Sequence, residues 1–293
     1  MGGSINQNVL AGFEIDNPLD KMMEFAYERQ QIFNRREAGQ AWPWSSDPTF
    51  QKYKFCNIFR DQDKTTKWIV NWVTPLSNDI EALVTNLVYA RMCNNPDVMS
   101  KTGWIGAVSP EQFIAIIDEI GGGKTASKVN KNTVWKDPYQ IAGAFKGKLG
   151  LPYREHVIAH HLPKVSADIL RVIEENAGAE DLTKILDDLA EVWGYKMTMV
   201  FTHALLDLSY FRPDLVNPNA SYPMGDGAKP ILKILNDITL DKIVEEWNSR
   251  YPQERKLLRA DAEGMLCEWR KYLVWSNGLA KKYRLYRKDA SCA

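Results

Sequence analysis

The apolar positions of this chain recur at three- and four-residue spacing almost from end to end, which predicts a helical protein. The first helix is framed by Asn17 as N-cap, Pro18 at the first helical position, Asp20 beside the positive end of the dipole, and Gly39 as a stop. Met22, Ala26, Arg29, Phe33 and Arg36 share one stripe of it, so two guanidiniums stand in line with core positions. The segment AWPWSSDP reads as a loop, and Asp47-Pro48 as the start of a helix through Phe50, Phe55, Ile58 and Phe59. Trp68, Ile69, Trp72 and Val73 mark another that stops before Pro75. Ser77 is the expected cap of the next, with Ile80, Leu83, Val84 and Leu87 inside and Asn94-Asn95-Pro96 at its end. Ser109-Pro110-Glu111-Gln112 has the form of a capping box for a helix reaching Gly121.

In the second half, helices are expected over 164–176 and 181–193, closed by Gly178 and Gly194, then through Met197, Val200, Phe201, Ala204, Leu205 and Leu208. The last two, joined at Gly194-Tyr195-Lys196, form a helix-hairpin-helix candidate, in which amides at the second helix's start receive a DNA phosphate. Residues 209–232 are rich in Pro, Asn and Gly and too long for a mere connector, which makes them a functional-loop candidate. That loop ends in Gly225-Asp226-Gly227-Ala228-Lys229, ahead of a helix whose amides could hold an anion. Thr239 caps a helix through Ile243 and Trp247. Asp261 starts the final one, with Leu266, Trp269, Tyr272 and Leu273 inward and Glu268 one turn from Lys271 and Tyr272.

Several residues carry chemistry in this pattern. Arg29 and Arg36 either snorkel to solvent and pair with a carboxylate such as Glu28, or face inward as an anion site suited to phosphate. The run GGGKT at 121–125 is not a P-loop, because the first glycine of that motif would fall at Asp118 and a helix rather than a strand precedes it. A helix stop or a lysine-bearing loop remains. His156 and His160 stand one helical turn apart with His161 adjoining, but the pattern is not H-E-x-x-H and Glu155 is the one carboxylate nearby, so structural histidines fit better than a metal site. Asp207, late in an apolar helix, is a buried perturbed carboxylate or an ordinary boundary residue.

Composition narrows the class. The 293 residues, 45% hydrophobic and 25% charged, suit a globular chain of one domain or two helical lobes with a cleft between them. No apolar run approaches a bilayer span and the N-terminus lacks signal-peptide order, so a cytoplasmic protein is expected, with the four scattered cysteines reduced. A formal charge of zero argues against nucleic-acid binding by bulk electrostatics. Yet basic residues interleave with aromatics in 121–154 and again from Trp269 to Lys288, a pattern that fits either a phosphate backbone with unstacked bases or a solvated face.

The block ERQQIFNRREAG…PWSSDPTFQKYKFCNIFRDQDKTTKWI, followed by ALLDLSY…YPMGDGAKPIL and MLCEWRKY, resembles the phage alpha-glutamyl/putrescinyl thymine pyrophosphorylase family, whose helical domain also occurs in 5-hydroxymethyluracil DNA kinases. The resemblance implies an all-α fold similar to helix-hairpin-helix DNA glycosylases and a role in thymine hypermodification. In such chemistry the pyrophosphate on a 5-hydroxymethyluracil in DNA is exchanged for an amino acid or polyamine. The hairpin here reads Gly194-Tyr195-Lys196-Met197 where the family has Gly-Ile-Gly-Pro, and Asn217 or Asn219 stands where an aspartate is expected unless Asp214 serves.

Such a reaction requires the base to leave the stack, and Trp44, Asp47, Phe55, Asn57 and Tyr222 are the expected pocket residues. Arg29, Arg36, Arg60, Lys196, Gly225, Gly227, Lys229 and Lys271 are the expected contacts to pyrophosphate or DNA. Asp207 and Glu268, with Asp63 third, are the expected acceptors of the amine's proton. No cofactor is fixed by the sequence, Mg²⁺ remaining an option. The competing readings are an accessory DNA-binding module of a hydroxymethyluracil DNA kinase, disfavoured as a kinase itself by the missing P-loop, and a base-excising glycosylase, disfavoured by the loop asparagines.

Overall fold

A computed structural model describes residues 14–121, 134–136 and 148–279. Among the described residues the chain is helical, and β pairing is confined to isolated bridges such as Asp181 with Ser221. In order come α1 (Pro18–Glu37), α2 (Pro48–Lys52), α3 (Lys64–Val73), α4 (Ile80–Cys93), α5 (Pro96–Thr102) and α6 (Pro110–Ile120). Then α7 (Arg154–His156) runs through a π turn at Val157–His161 into α8 (Leu162–Glu175), followed by α9 (Thr183–Trp193) and α10 (Thr198–Leu208). The short α11 (Lys229–Ile234), α12 (Leu240–Arg250) and α13 (Arg259–Ser276) complete the described chain. None of these helices is long and apolar enough to cross a membrane. The GGGKT run beyond Gly121, most of the first basic-aromatic segment and the end of the second lie outside the described residues.

The helix ends show where local chemistry decided. Ser109 and Gln112 form the expected capping box, and Thr239 accepts the Lys242 N–H at 3.2 Å. Asp79, not Ser77, caps α4, its carboxylate accepting the Ala82 N–H at 3.0 Å; Ser77 instead follows a 3₁₀ turn at Thr74–Leu76. Asn17 occupies the N-cap position of α1 at φ 49° with no side-chain cap, so the start of that helix rests on Pro18 and Asp20. The helix expected from Asp47 through Phe59 stops after five residues at Lys52, and residues 53–59 leave helical geometry. Gly194, at φ 91°, makes the left-handed turn that reverses the chain between α9 and α10, a conformation a β-carbon would strain.

The described residues divide into two compact units, those between 64 and 223 in one, and 14–63 with 224–279 in the other. In the first, α4 packs against α3, α5, α8 and α10. Every residue from Leu83 to Cys93 is buried, so α4 is a central helix covered on all sides. Leu87 and Val88 meet Ile169, Leu189, Phe201 and Leu205 in its core, and each such burial contributes roughly 1.5–3 kcal/mol. In the second unit, α13 packs on α1, α2, α11 and α12. The centre there is aromatic: Phe25, Phe50, Phe55, Tyr272 and Trp275 meet with ring centroids 5.0–6.0 Å apart.

Candidate functional site

The second unit holds the first of the family-like segments as far as Asp63, the glycine turn that ends the second, and the whole of the third. Its central helix α13 is unusual in burying Asp261, Glu263, Glu268 and Arg270 along with Leu266 and Trp269. Asp261 and Glu268 each hold a distant stretch of backbone. Asp261 accepts the Arg60 N–H at 2.8 Å with one oxygen and the Leu258 N–H at 3.1 Å with the other, tying the 3₁₀ turn at Arg60–Gln62 to the start of α13. Glu268 accepts the Cys56 N–H at 2.9 Å and binds the Lys271 ammonium with its other oxygen. Burial raises the carboxyls of Asp261 and Glu263, and amide donors, including Gly225 at Glu263, partly offset it.

The non-helical segment 53–59 is held from the other side by α1. Arg29 is buried, and its guanidinium donates to the carbonyls of Cys56 at 2.9 Å and Phe55 at 3.2 Å and to the side-chain oxygen of Asn57. Asn57 in turn donates to the Gln62 carbonyl at 2.6 Å. These long-range donors explain why the helix begun at Asp47 does not continue: the carbonyls it would have used internally are satisfied by an arginine from another helix. Asp47 closes the arrangement, taking the Thr49 N–H at 2.6 Å as cap of α2 and the Tyr272 hydroxyl at 2.6 Å. Burial and the Asp47 carboxylate raise the Tyr272 phenol far above its ordinary value.

Where segment 53–59 meets α13, polar groups face solvent from within a crowded setting. Cys56 is exposed, and Glu268, Lys271, Asp63 and Cys267 all act on its thiol. The Glu268 charge is the chief cause that pushes that thiol up to about 12, so it stays protonated and is a poor nucleophile. Burial pushes Cys267 up to about 11. Burial would also raise Glu268, but Lys271 and the Cys56 amide outweigh it and hold the carboxyl below its usual range. The Lys271 side chain keeps 31% of its surface accessible against 6% for Glu268, so the lysine can meet a ligand from solvent and the carboxylate stands behind it.

The turn at Gly225–Ala228 closes on the same helix. A β-carbon on Gly227 would lie 2.7 Å from the Cys267 Sγ, which makes glycine a packing requirement there. Gly227→Ala is expected to cost about 1–3 kcal/mol through overpacking. Cys267→Ala should relieve most of that cost in the double variant, a coupling that urea unfolding of the four proteins measures.

The structure therefore brings Asp47, Phe55, Asn57, Arg60, Asp63, Gly225, Gly227, Glu268 and Lys271 into one unit. Their settings differ. Phe55 and Trp44 are core residues, Trp44 donating to the Gln40 carbonyl at 2.6 Å, and neither offers an exposed stacking face. The arginine stripe divides: Arg29 is an internal anchor, whereas Arg36 is a solvated side chain over Phe33 and beside Glu37 at 3.0 Å. The carboxylate Glu28 pairs with Arg35 instead. Lys229 is exposed with Asp226 at 3.1 Å.

Asp207, Lys196 and Tyr222 belong to the other unit. Asp207 has no accessible surface and takes both Nε and Nη2 of Arg91, at 2.6 and 2.7 Å, so its carboxylate serves as an internal counter-ion. Tyr222 is buried, and Lys196 pairs with Asp187 at 2.9 Å on the surface. Sequence reasoning passed over Cys56, Asp261 and Glu263 as site residues. The available signal was α13 itself, where Asp261, Glu268 and Tyr272 fall on one helical stripe with Met265.

Among known proteins, no curated protein and no solved structure matches the chain. A family model described as "5-hmdU DNA kinase, helical domain" does match, over residues 16–235, and the chain, most of which it covers, belongs to that family.

Proposed function

We propose that the chain modifies hydroxymethyluracil in DNA, and that it is the transferase that replaces the pyrophosphate of 5-pyrophosphoryloxymethyl-deoxyuridine with an amino acid or polyamine. Family membership supports the coarser role in hydroxymethyluracil DNA modification. The observation that carries the finer reading is the Lys271–Glu268 pair, an accessible cation backed by a buried carboxylate at the meeting of segment 53–59, the glycine turn and α13.

That pair suits a displacement in which leaving-group charge and an amine proton must both be received. The amine lone pair forms a C–N bond at the 5-methylene carbon, the C–O bond breaks toward pyrophosphate, and the nitrogen gives up a proton. Lys271, drawn to the pyrophosphate, no longer neutralises Glu268. Burial then raises that carboxyl, because Lys271 is the chief group holding it down, and it becomes a competent proton acceptor. Arg60 and Asp63 border the same segment and are the further candidates for phosphate contact and proton transfer.

The test is duplex DNA carrying pyrophosphorylated hydroxymethyluracil, incubated with the protein and a mixture of amino acids and polyamines. A new nucleoside by mass spectrometry with release of pyrophosphate is expected, and Lys271→Met should lower its rate about a hundredfold. Binding without turnover across all amines replaces this reading with an accessory DNA-binding module, which the kinase-domain family name favours. Release of free base replaces it with a glycosylase.

A further inference from the structure

In the unit between residues 64 and 223, the turn before α6, the start of α6 and the π turn that leads into α8 enclose a cavity of about 290 Å³. That volume is close to the lower end of small-molecule sites, about 300–1,000 Å³. Ile105, Val108, Pro110, Phe113 and Ala159 give it apolar walls, and His160 and Lys164 bring the ionisable side chains. Local chemistry fixes this frame. Asn86 of α4 accepts the Ile105 N–H at 2.7 Å, which holds the turn onto the central helix. Ser109 and Gln112 cap the start of α6 beside Pro110. In the π turn at Val157–His161 the Leu162 N–H reaches back to the Val157 carbonyl, and the consecutive residues Ala159 and His160 both meet the cavity. Single π turns of this kind within α-helices recur at functional sites.

The two ionisable side chains on this cavity are donors with no acceptor of their own. An imidazole carries at least one N–H and an ammonium three. Neither the His160 ring nor the Lys164 ammonium makes a hydrogen bond or ion pair among the described residues. No carboxylate stands among the lining residues. Glu111 acts on His160 through its charge, but its own amide and the Ser109 hydroxyl engage it at the start of α6 and hold its carboxyl below the ordinary value. Lys164 is exposed and His160 half-buried, so the positive side of the cavity is also the side that meets solvent.

We propose that this cavity binds a small monocarboxylate with an apolar body, its carboxylate at Lys164 and His160 and its body against Val108, Phe113 and Ala159. A carboxylate is an acceptor with two oxygens, the complement of two donors from adjacent turns of one helical run. One lysine balances one negative charge, whereas a dianion such as a phosphate monoester would leave its second charge to be taken out of water among apolar walls. An organic ammonium would meet a like charge at Lys164. The inference concerns a different unit from the Lys271–Glu268 pair and holds whatever reaction that pair performs.

The probe is sodium benzoate, added to the intact protein without DNA, with the imidazole signals of its four histidines followed by NMR. A saturable shift of the His160 signal is expected, with benzylammonium producing none and acetate, which lacks the apolar body, binding far more weakly. Lys164→Met should weaken benzoate binding about tenfold, the loss of one charge-assisted hydrogen bond. Val108→Phe, which fills the cavity and leaves both donors in place, should weaken it severalfold. Lys164 is exposed and Val108 half-buried, so neither change empties the core. Absence of a saturable shift, unchanged affinity in either variant, equal affinity for acetate, or tighter binding of phenyl phosphate would each overturn the proposal. Because no DNA is present, none of these outcomes bears on the transferase reading.

Discussion

Asp207→Asn is expected to destabilise the protein by about 3–5 kcal/mol, because it leaves the Arg91 guanidinium buried without its counter-charge. The pair joins α4 to α10 with bidentate geometry, and the same guanidinium donates to the Thr66 hydroxyl of α3 at 3.0 Å, so three helices meet on one cation. Burying such a pair costs several kcal/mol per ion in lost hydration, which its own attraction roughly repays; removing one partner keeps the penalty and loses the repayment. The double variant Arg91→Met/Asp207→Leu should therefore recover most of the lost stability, since two apolar side chains of similar size demand no donors. Urea unfolding of wild type, both single variants and the double variant measures this cycle. An Asp207→Asn protein that unfolds like wild type but has lost turnover would instead restore Asp207 to a chemical role.

That residue also shows what the sequence could convey. An aspartate on an apolar helix face is visible from spacing alone, and burial was one of its two readings. Its partner was not visible, because Arg91 lies 116 positions away and nothing local couples the two. Helices with strong local signals emerged close to their expected limits: α6 from its capping box, α12 from Thr239, and α9 from its glycine stop. Ends fixed by tertiary contacts did not. Phe50, Phe55, Ile58 and Phe59 carry helical spacing, yet Arg29 and Glu268 claim the backbone of 55 and 56 and hold the segment open. At the candidate site the same rule applied. The Glu268–Lys271 contact lies within one helix turn and was legible; the Cys56 amide beneath it, 212 positions from Glu268, was not.

Arg29→Met should cost about 3–5 kcal/mol, from the Phe55 and Cys56 carbonyls and the Asn57 side-chain oxygen left without their donor at roughly 1–3 kcal/mol each, whereas Arg36→Met on the same helix should stay within about 0.5 kcal/mol. The two arginines are indistinguishable by helical spacing, but one is 6% exposed and tied to segment 53–59 while the other is solvated beside Glu37. Arg29→Lys should recover less than half of the loss, because a single ammonium cannot reproduce the fork that reaches two consecutive carbonyls and Asn57. Denaturant unfolding gives the energies, and the rate of Cys56 modification by a thiol reagent reports the segment directly. Loosening it should draw the Cys56 amide away from Glu268, lower the thiol from its raised value and quicken modification. Equal stability for the Arg29 and Arg36 variants, with unchanged thiol reactivity, would mean that α13 alone holds the segment. Arg29 would then again be available as the anion ligand that its place on the stripe first suggested.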